Sequence, residues 1–242
     1  MIPFFRRIRK RFADDNKPMK YARYAVGEIV LVVIGILIAL QINNWKEKRI
    51  ENEERNELVN LLSNEFETII PQIEDMISFR ESRMEKISDA INSLDNGKEK
   101  IPIDSLKQII STIFLGGSYT PQTPKYSAAL SSGKISLIND DVFFEHISSF
   151  NEMKGILNRL YVVSLEANFN GPLSKIKEEH WELYLPNENA SLTEEEYLNY
   201  ISRPDVNSTI RNMNRLGLNI ILNLKDMLSD CKSIVQNFES KK

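Results

Sequence analysis

Cysteine and histidine are nearly absent from this chain of 242 residues, which has one cysteine and two histidines. The single cysteine, Cys231, cannot form an internal disulfide, and its place on an apolar helical stripe predicts a buried, inert thiol. Neither His146 nor His180 has a partner at the spacing that a metal-binding helix needs. The run Glu178, Glu179 and His180 is more typical of a solvated face than of a metal site. The sequence therefore predicts no metal and no cofactor.

Motifs for phosphate binding and for nucleophilic catalysis are also lacking. Ser132 to Ile135 resembles the end of a phosphate loop only superficially, because Ala128 stands where the first glycine belongs and Ile135 where Ser or Thr belongs. No nucleophile elbow supports a serine hydrolase, although a Ser-His-Asp triad stays open because its members need not be adjacent. We therefore predict no catalytic residues and a non-enzymatic protein.

One long apolar run dominates the rest of the chain. Ala25–Ile42 reads AVGEIVLVVIGILIALQI, and ten of the twelve residues from Ile29 to Leu40 are Ile, Val or Leu. As a helix, eighteen residues reach ~27 Å, close to the hydrocarbon thickness of a bilayer. A buried core helix is the first alternative, and a cleaved signal peptide, for which Gln41 is wrong at the last position before the cut, is the second. We predict a transmembrane helix over residues 25–42.

Charge on the two sides of this run predicts its orientation. Residues 1–24 carry eight basic and two acidic side chains, whereas residues 43–60 carry four basic and five acidic ones. The basic side stays in the cytoplasm, so residues 43–242 should be exported. The tail 1–24 has the pattern of a basic amphipathic helix, which favours binding to an anionic inner leaflet over binding to nucleic acid. Beyond residue 42 the chain has 23 basic and 31 acidic residues, which argues against a nucleic-acid partner.

Two stretches carry a resemblance to a known family. They are FFRRIRK followed by YARYAVGEIVLVVIGILIALQINNW near the start, and Tyr126–Asp140, YSAALSSGKISLIND, further on. Together they resemble an uncharacterised family of single-pass membrane proteins common in Bacteroidetes-type bacteria. The resemblance implies a bacterial inner membrane and a periplasmic domain, and it implies nothing about chemistry. Asp104-Ser105-Leu106 similarly resembles an O-glycosylation acceptor of such bacteria, but a plain helix cap at Asp104 is the favoured interpretation.

Helical periodicity continues after the apolar run. Residues 44–96 keep apolar side chains at three-four spacing, interrupted by Arg80, so they predict one long helix that ends at Asn96-Gly97. Pro71 lies inside this pattern without turn residues around it, and we predict a kink and not a reversal. No convincing strand is present. The predicted fold is an all-α helical bundle behind one transmembrane helix.

Caps and breakers predict the shorter helices. Asp104 should cap a helix to Phe114 or Leu115, and Thr123-Pro124 should open one that stops at Gly133. Further helices are predicted at 139/140–168, from Pro172 to Tyr184, at 193–201 with Thr193 and Glu196 as a capping box, and at 205–238; Pro186–Ala190 is predicted to be a polar loop. The predicted buried side of the helix at 139/140–168 includes Phe143, Ile147, Phe150, Leu157, Leu160, Val163 and Leu165.

Two sets of residues are candidate contact sites. The first, in and beside the loop Gly116–Lys125, is a possible surface for a ligand or protein partner: Tyr119, Thr120, Pro121, Tyr126, Ser131, Ser132, Gly133, Lys134 and Asn139. The second is a small-residue face of the transmembrane helix that would let another span approach closely: Gly27, Glu28, Leu31, Gly35 and Ala39.

Two functions remain open at the level of sequence. One is a membrane-anchored periplasmic interaction or scaffold module whose partner is another protein or a second copy of the chain. The other is a sensory input domain that binds a small ligand and signals through a partner. A deep polar pocket at the loop Gly116–Lys125 would favour a ligand, and a flat apolar face would favour a protein.

Overall fold

The computed structural model describes residues 18–96, 101–114, 120–183 and 192–241. Within these ranges all regular structure is helical and no strand occurs, which confirms the predicted all-α class. The helices are α1 Pro18–Asn96, α2 Ile103–Ser111, α3 Pro124–Ser131, α4 Asp141–Phe169, α5 Pro172–Glu179, α6 Glu194–Ile201 and α7 Pro204–Glu239, with 3₁₀ turns at Thr112–Phe114, Lys134–Leu137 and Trp181–Leu183.

Contacts divide the chain into two units, Met1–Glu57 and Leu58–Lys242. In the first unit, residues 22–57 belong to α1 and are exposed, apart from half-buried Ala25 and Glu28. The large apolar side chains from Val26 to Ile42 are between 46% and 69% exposed. Among the described residues this is one helix long and apolar enough to cross a membrane. Most of the predicted amphipathic tail, residues 1–17, lies outside the described residues.

Helix α1 passes through Pro71 without interruption, so the predicted absence of a reversal is confirmed. Pro71 is exposed, and the apolar stripe continues on the opposite side of the helix. Arg80 stands within that stripe and is only 9% exposed. The buried apolar members of the stripe are Leu58, Leu62, Phe66, Ile69, Ile73, Ile77, Met84, Ile87, Ala90 and Ile91.

Helices α1 and α7 run side by side in opposite directions within the second unit. Two ion pairs join them, Glu74 to Lys232 at 2.7 Å and Glu81 to Lys225 at 2.6 Å. Between these helices a Cβ added to Gly217 would lie 2.3 Å from the sulfur of Met84. The glycine therefore permits a close approach of the two helices.

Helix α4 completes the core of the second unit. Its Phe150 packs edge-on against Phe66 of α1, with ring centroids 5.5 Å apart. Its Phe143 stacks on Phe238 of α7, with centroids 5.3 Å apart. Aromatic pairs in these geometries stabilise beyond the burial of their area. The three long helices thus contribute to one continuous apolar cluster.

Several predicted helix ends are confirmed. Asp140 caps α4 and accepts a hydrogen bond from the Phe143 N–H at 3.3 Å. Thr193 and Glu196 form the predicted capping box of α6. Gly133 follows α3 in the left-handed conformation, with φ of 74°, which glycine adopts without strain.

Three predictions are wrong in detail. Asp104 is not a cap, because α2 begins one residue earlier, after Pro102, and Asp104 lies in its first turn. The helix predicted to reach Tyr184 ends at Glu179, because the extended backbone of His180 separates it from the 3₁₀ turn Trp181–Leu183. Val163, predicted to be buried, is 52% exposed, because it lies beside the apolar stripe of α4 that turns toward the core.

Candidate functional site

Helix α3 starts with backbone donors that its own sequence does not satisfy. Pro124 is its first residue and has no N–H, and the side chain of Thr123 makes no capping hydrogen bond. The N–H groups of Lys125 and Tyr126 instead donate to the two carboxylate oxygens of Glu65 on α1, each at 2.8 Å. Glu65 is only 6% exposed. A carboxylate from another helix therefore caps α3, where it also faces the positive end of the helix dipole.

A second group of contacts joins α3 to α4. The side-chain amide of Asn151 donates to the hydroxyl of Tyr126 at 2.8 Å, and the Tyr126 ring is 7% exposed. The ammonium of Lys154 donates to the buried hydroxyl of Thr123 at 3.3 Å. Because these bonds and the Glu65 cap meet at the same end of α3, that end is fixed between α1 and α4.

The residues of the first candidate set divide between core and surface. Pro121 and Tyr126 are buried and Thr120 is half-buried, with its hydroxyl 3.2 Å from the side-chain oxygen of Asn158. Tyr119 lies outside the described residues. The remaining five are exposed and adjoin Leu130, which is 54% exposed. We call the exposed group the α3 surface: Leu130, Ser131, Ser132, Gly133, Lys134 and Asn139.

The sequence alone did not predict a role for Glu65, because a charged residue of an amphipathic helix is ordinarily assigned to the solvent side. A signal was nevertheless present, since Glu65 follows Leu62 by three residues and precedes Ile69 by four, the spacing of the buried stripe. A buried carboxylate requires donors, and a helix that begins Thr-Pro offers two free ones. The two observations could be joined only with the tertiary structure.

The second candidate set lies on an exposed stretch of α1. Gly27, Leu31, Gly35 and Ala39 are exposed at four-residue intervals, and Glu28 beside them is half-buried. A Cβ placed on Gly27 or Gly35 would meet no atom within 4 Å. Within the chain this face has room for a close neighbour.

A buried ionisable pair joins α4 to α7. Nδ1 of His146 lies 2.9 Å from Oδ1 of Asp230, and the two side chains are 29% and 10% exposed. Oδ2 of Asp230 is buried and has no hydrogen-bond partner. The next residue, Cys231, is fully buried, and burial together with the Asp230 charge raises the pKa of its thiol to about 12. The thiol is thus protonated at neutral pH, and the predicted burial of Cys231 is confirmed.

Cavities in the described part of the chain adjoin α1 and α7. One of about 260 Å³ is lined by Ser88, Ile91, Asn92, Arg211, Asn214, Arg215 and Leu218. A much smaller one, about 20 Å³, lies beside Met84 and Gly217. Neither is lined by residues of the α3 surface. Among the described residues, no three His, Cys, Asp or Glu side chains converge as metal ligands would.

The family of this chain is identified by comparison with known families. Residues 28–178 match the model of DUF6090, which is described as a family of unknown function. The chain belongs to the DUF6090 family. The DUF6090 match includes most of the apolar run of α1, the Glu65 cap and the whole α3 surface. No curated protein and no solved structure matches the chain.

Proposed function

We propose that this DUF6090 protein is a membrane-anchored interaction or scaffold module, with residues 25–42 of α1 as its single transmembrane span. The observation that carries the proposal is the exposure of the aliphatic side chains between Val26 and Ile42, at 46% to 69% each. Exposure of so large a contiguous apolar surface to water is unfavourable in free energy, whereas its insertion into a bilayer is favourable. Insertion would bury these side chains without any further protein contact.

Charge supports one orientation of this anchor. Eight basic residues in 1–24, against four in 43–60, favour a cytoplasmic N-terminus and export of the residues after 42. We infer a bacterial inner membrane protein whose periplasmic part, residues 43–242, folds as a helical bundle. The basic tail would rest on the anionic inner leaflet, and no nucleic acid is involved.

The α3 surface is the proposed contact site for the partner. It combines an exposed aliphatic side chain, Leu130, with the short hydroxyl side chains of Ser131 and Ser132 and with the charge of Lys134. The α3 surface offers one aliphatic side chain for packing and several hydrogen-bonding groups, and it contains no carboxylate or imidazole that could serve as a general acid or base. We therefore infer a non-enzymatic role.

Site-specific photo-crosslinking in living cells tests this function. A photoreactive amino acid is placed at Ser132 of the full-length chain, and as a matched control at Ser229, an exposed serine on α7. The proposal predicts a discrete adduct from position 132, in the membrane fraction, that is absent from position 229. Equal adducts from both positions, or none from position 132, would contradict it.

A periplasmic sensory input domain is the second candidate, and one observation favours it. Helix α1 runs without a break from Pro18 to Asn96, so the candidate span and the core of the second unit share one helix. A continuous helix can transmit a displacement of one part of its length to the other. If sensing is the function, a small ligand should raise the melting temperature of the protein, because a ligand that binds only the folded state stabilises it.

A further inference from the structure

Helix α3 is short and buries few of its side chains. It has eight residues, of which only Tyr126 and Ala129 are buried. Helices of this length are not stable alone in water, and segments with few buried apolar side chains open more readily than the core. Helix α3 is therefore expected to open at a lower free energy than α4 or α7.

The Glu65 cap is the contact best placed to control that opening. Hydrogen bonds to a charged acceptor stabilise more than neutral ones, and Glu65 accepts two at 2.8 Å. Because Pro124 has no N–H and Thr123 does not cap, the N–H groups of Lys125 and Tyr126 depend on this carboxylate. Opening α3 would break both bonds together, so the contact acts as a unit.

We propose that α3 is a latch: a locally opening segment that the Glu65 carboxylate closes onto α1. The latch includes Leu130, Ser131 and Ser132. The α3 surface is therefore folded when the latch is closed and unfolded when the latch is open. The latch rests on the proposed function for its purpose, whereas its mechanics rest on the Glu65 cap, beside which Asn151 donates to Tyr126 and Lys154 donates to Thr123. Closure by Glu65 then favours binding of a partner at the α3 surface, and binding of the partner favours closure to the same extent.

Hydrogen exchange on the full-length chain in lipid nanodiscs tests the latch. The variant E65Q keeps the shape of the side chain but removes its charge and one of its two acceptor oxygens. The matched control is E67Q, since Glu67 is exposed and accepts a hydrogen bond at 2.9 Å from the hydroxyl of Ser63, one turn earlier on the same helix. In E65Q the amides of residues 125–131 should exchange at least about tenfold faster, while those of α4 and α7 keep their rates. E67Q should behave as the unmodified protein.

A second variant tests whether the carboxylate itself is the closing group. E65A leaves the two N–H donors facing a space that a small carboxylate can refill. Sodium formate should restore the slow exchange of residues 125–131, whereas sodium chloride at the same ionic strength should not. Unchanged exchange in E65Q, faster exchange throughout the second unit, or equal effects of formate and chloride would overturn the latch. A failed crosslink at Ser132 would instead overturn the proposed function and leave these exchange rates unaffected.

Discussion

The pair His146 and Asp230 gives the sharpest stability prediction. A buried polar group that loses its hydrogen-bond partner costs about 1–3 kcal/mol, and more where the group is charged, whereas an exposed pair contributes about 0.2–1 kcal/mol. Here the aspartate is 10% and the histidine 29% exposed, so we expect a cost near that of a buried group. H146A leaves the carboxylate without its imidazole, and its Oδ2 already has no hydrogen-bond partner. We expect H146A to destabilise the fold by about 1.5–3 kcal/mol, or about 4–10 °C in melting temperature.

A double-mutant cycle identifies the cause of that loss. If H146A is costly because it leaves a buried charge unpaired, then D230N added to H146A removes the charge and should recover about 1 kcal/mol or more. The four proteins are compared as full-length chains in detergent by thermal unfolding followed by circular dichroism. A double variant less stable than H146A, or an H146A variant within about 0.5 kcal/mol of the unmodified protein, would refute the reasoning.

Three further predictions concern the second unit. P71A should be neutral or stabilising, since α1 is continuous at Pro71, and a loss of more than about 1 kcal/mol in chemical unfolding would contradict this. The fragment 46–242 should fold alone as helix, with a cooperative melt unchanged by chelator or reductant; a melt that rises with concentration would show self-association. Burial raises the pKa of Asp140, but hydrogen bonds from Lys241 and Asn237 outweigh it and hold the pKa below its ordinary range. Its contribution is therefore present above about pH 4 and lost as the pH falls further, so D140N should flatten the acid side of the stability profile.

Local signals predicted most of the helices. The three-four stripes of α1 and α7, the Asp140 cap and the Thr193–Glu196 box depend on residues within one or two turns of each other. Such features can be predicted from a sequence because neighbouring residues determine them. The prediction of a cap at Asp104 was wrong because an acidic residue in the first turn of a helix and an acidic cap have the same sequence pattern.

The candidate site was only partly predictable. The turn at Gly133 and the exposed serines follow from local sequence, but the buried state of Tyr126 depends on Asn151 of α4. The cap of α3 depends on Glu65, which precedes Lys125 by 60 residues. Periodicity assigns a charged residue to solvent unless a partner is known, and that partner here lies on another helix. The place of Glu65 in the buried stripe is a local signal, but the sequence does not show that its partners are the N–H groups of Lys125 and Tyr126.

Membrane topology tests the central proposal most directly. Alkaline phosphatase is active only after export, so it is fused after Lys242 of the full-length chain, and a reporter that is active only in the cytoplasm is fused at the same position in a parallel strain. The exposed aliphatic stretch of α1 and the basic residues before it predict an active phosphatase and an inactive cytoplasmic reporter, with the protein in the membrane fraction. An inactive phosphatase with an active cytoplasmic reporter, or a soluble fusion protein, would contradict the proposal of an exported, membrane-anchored module.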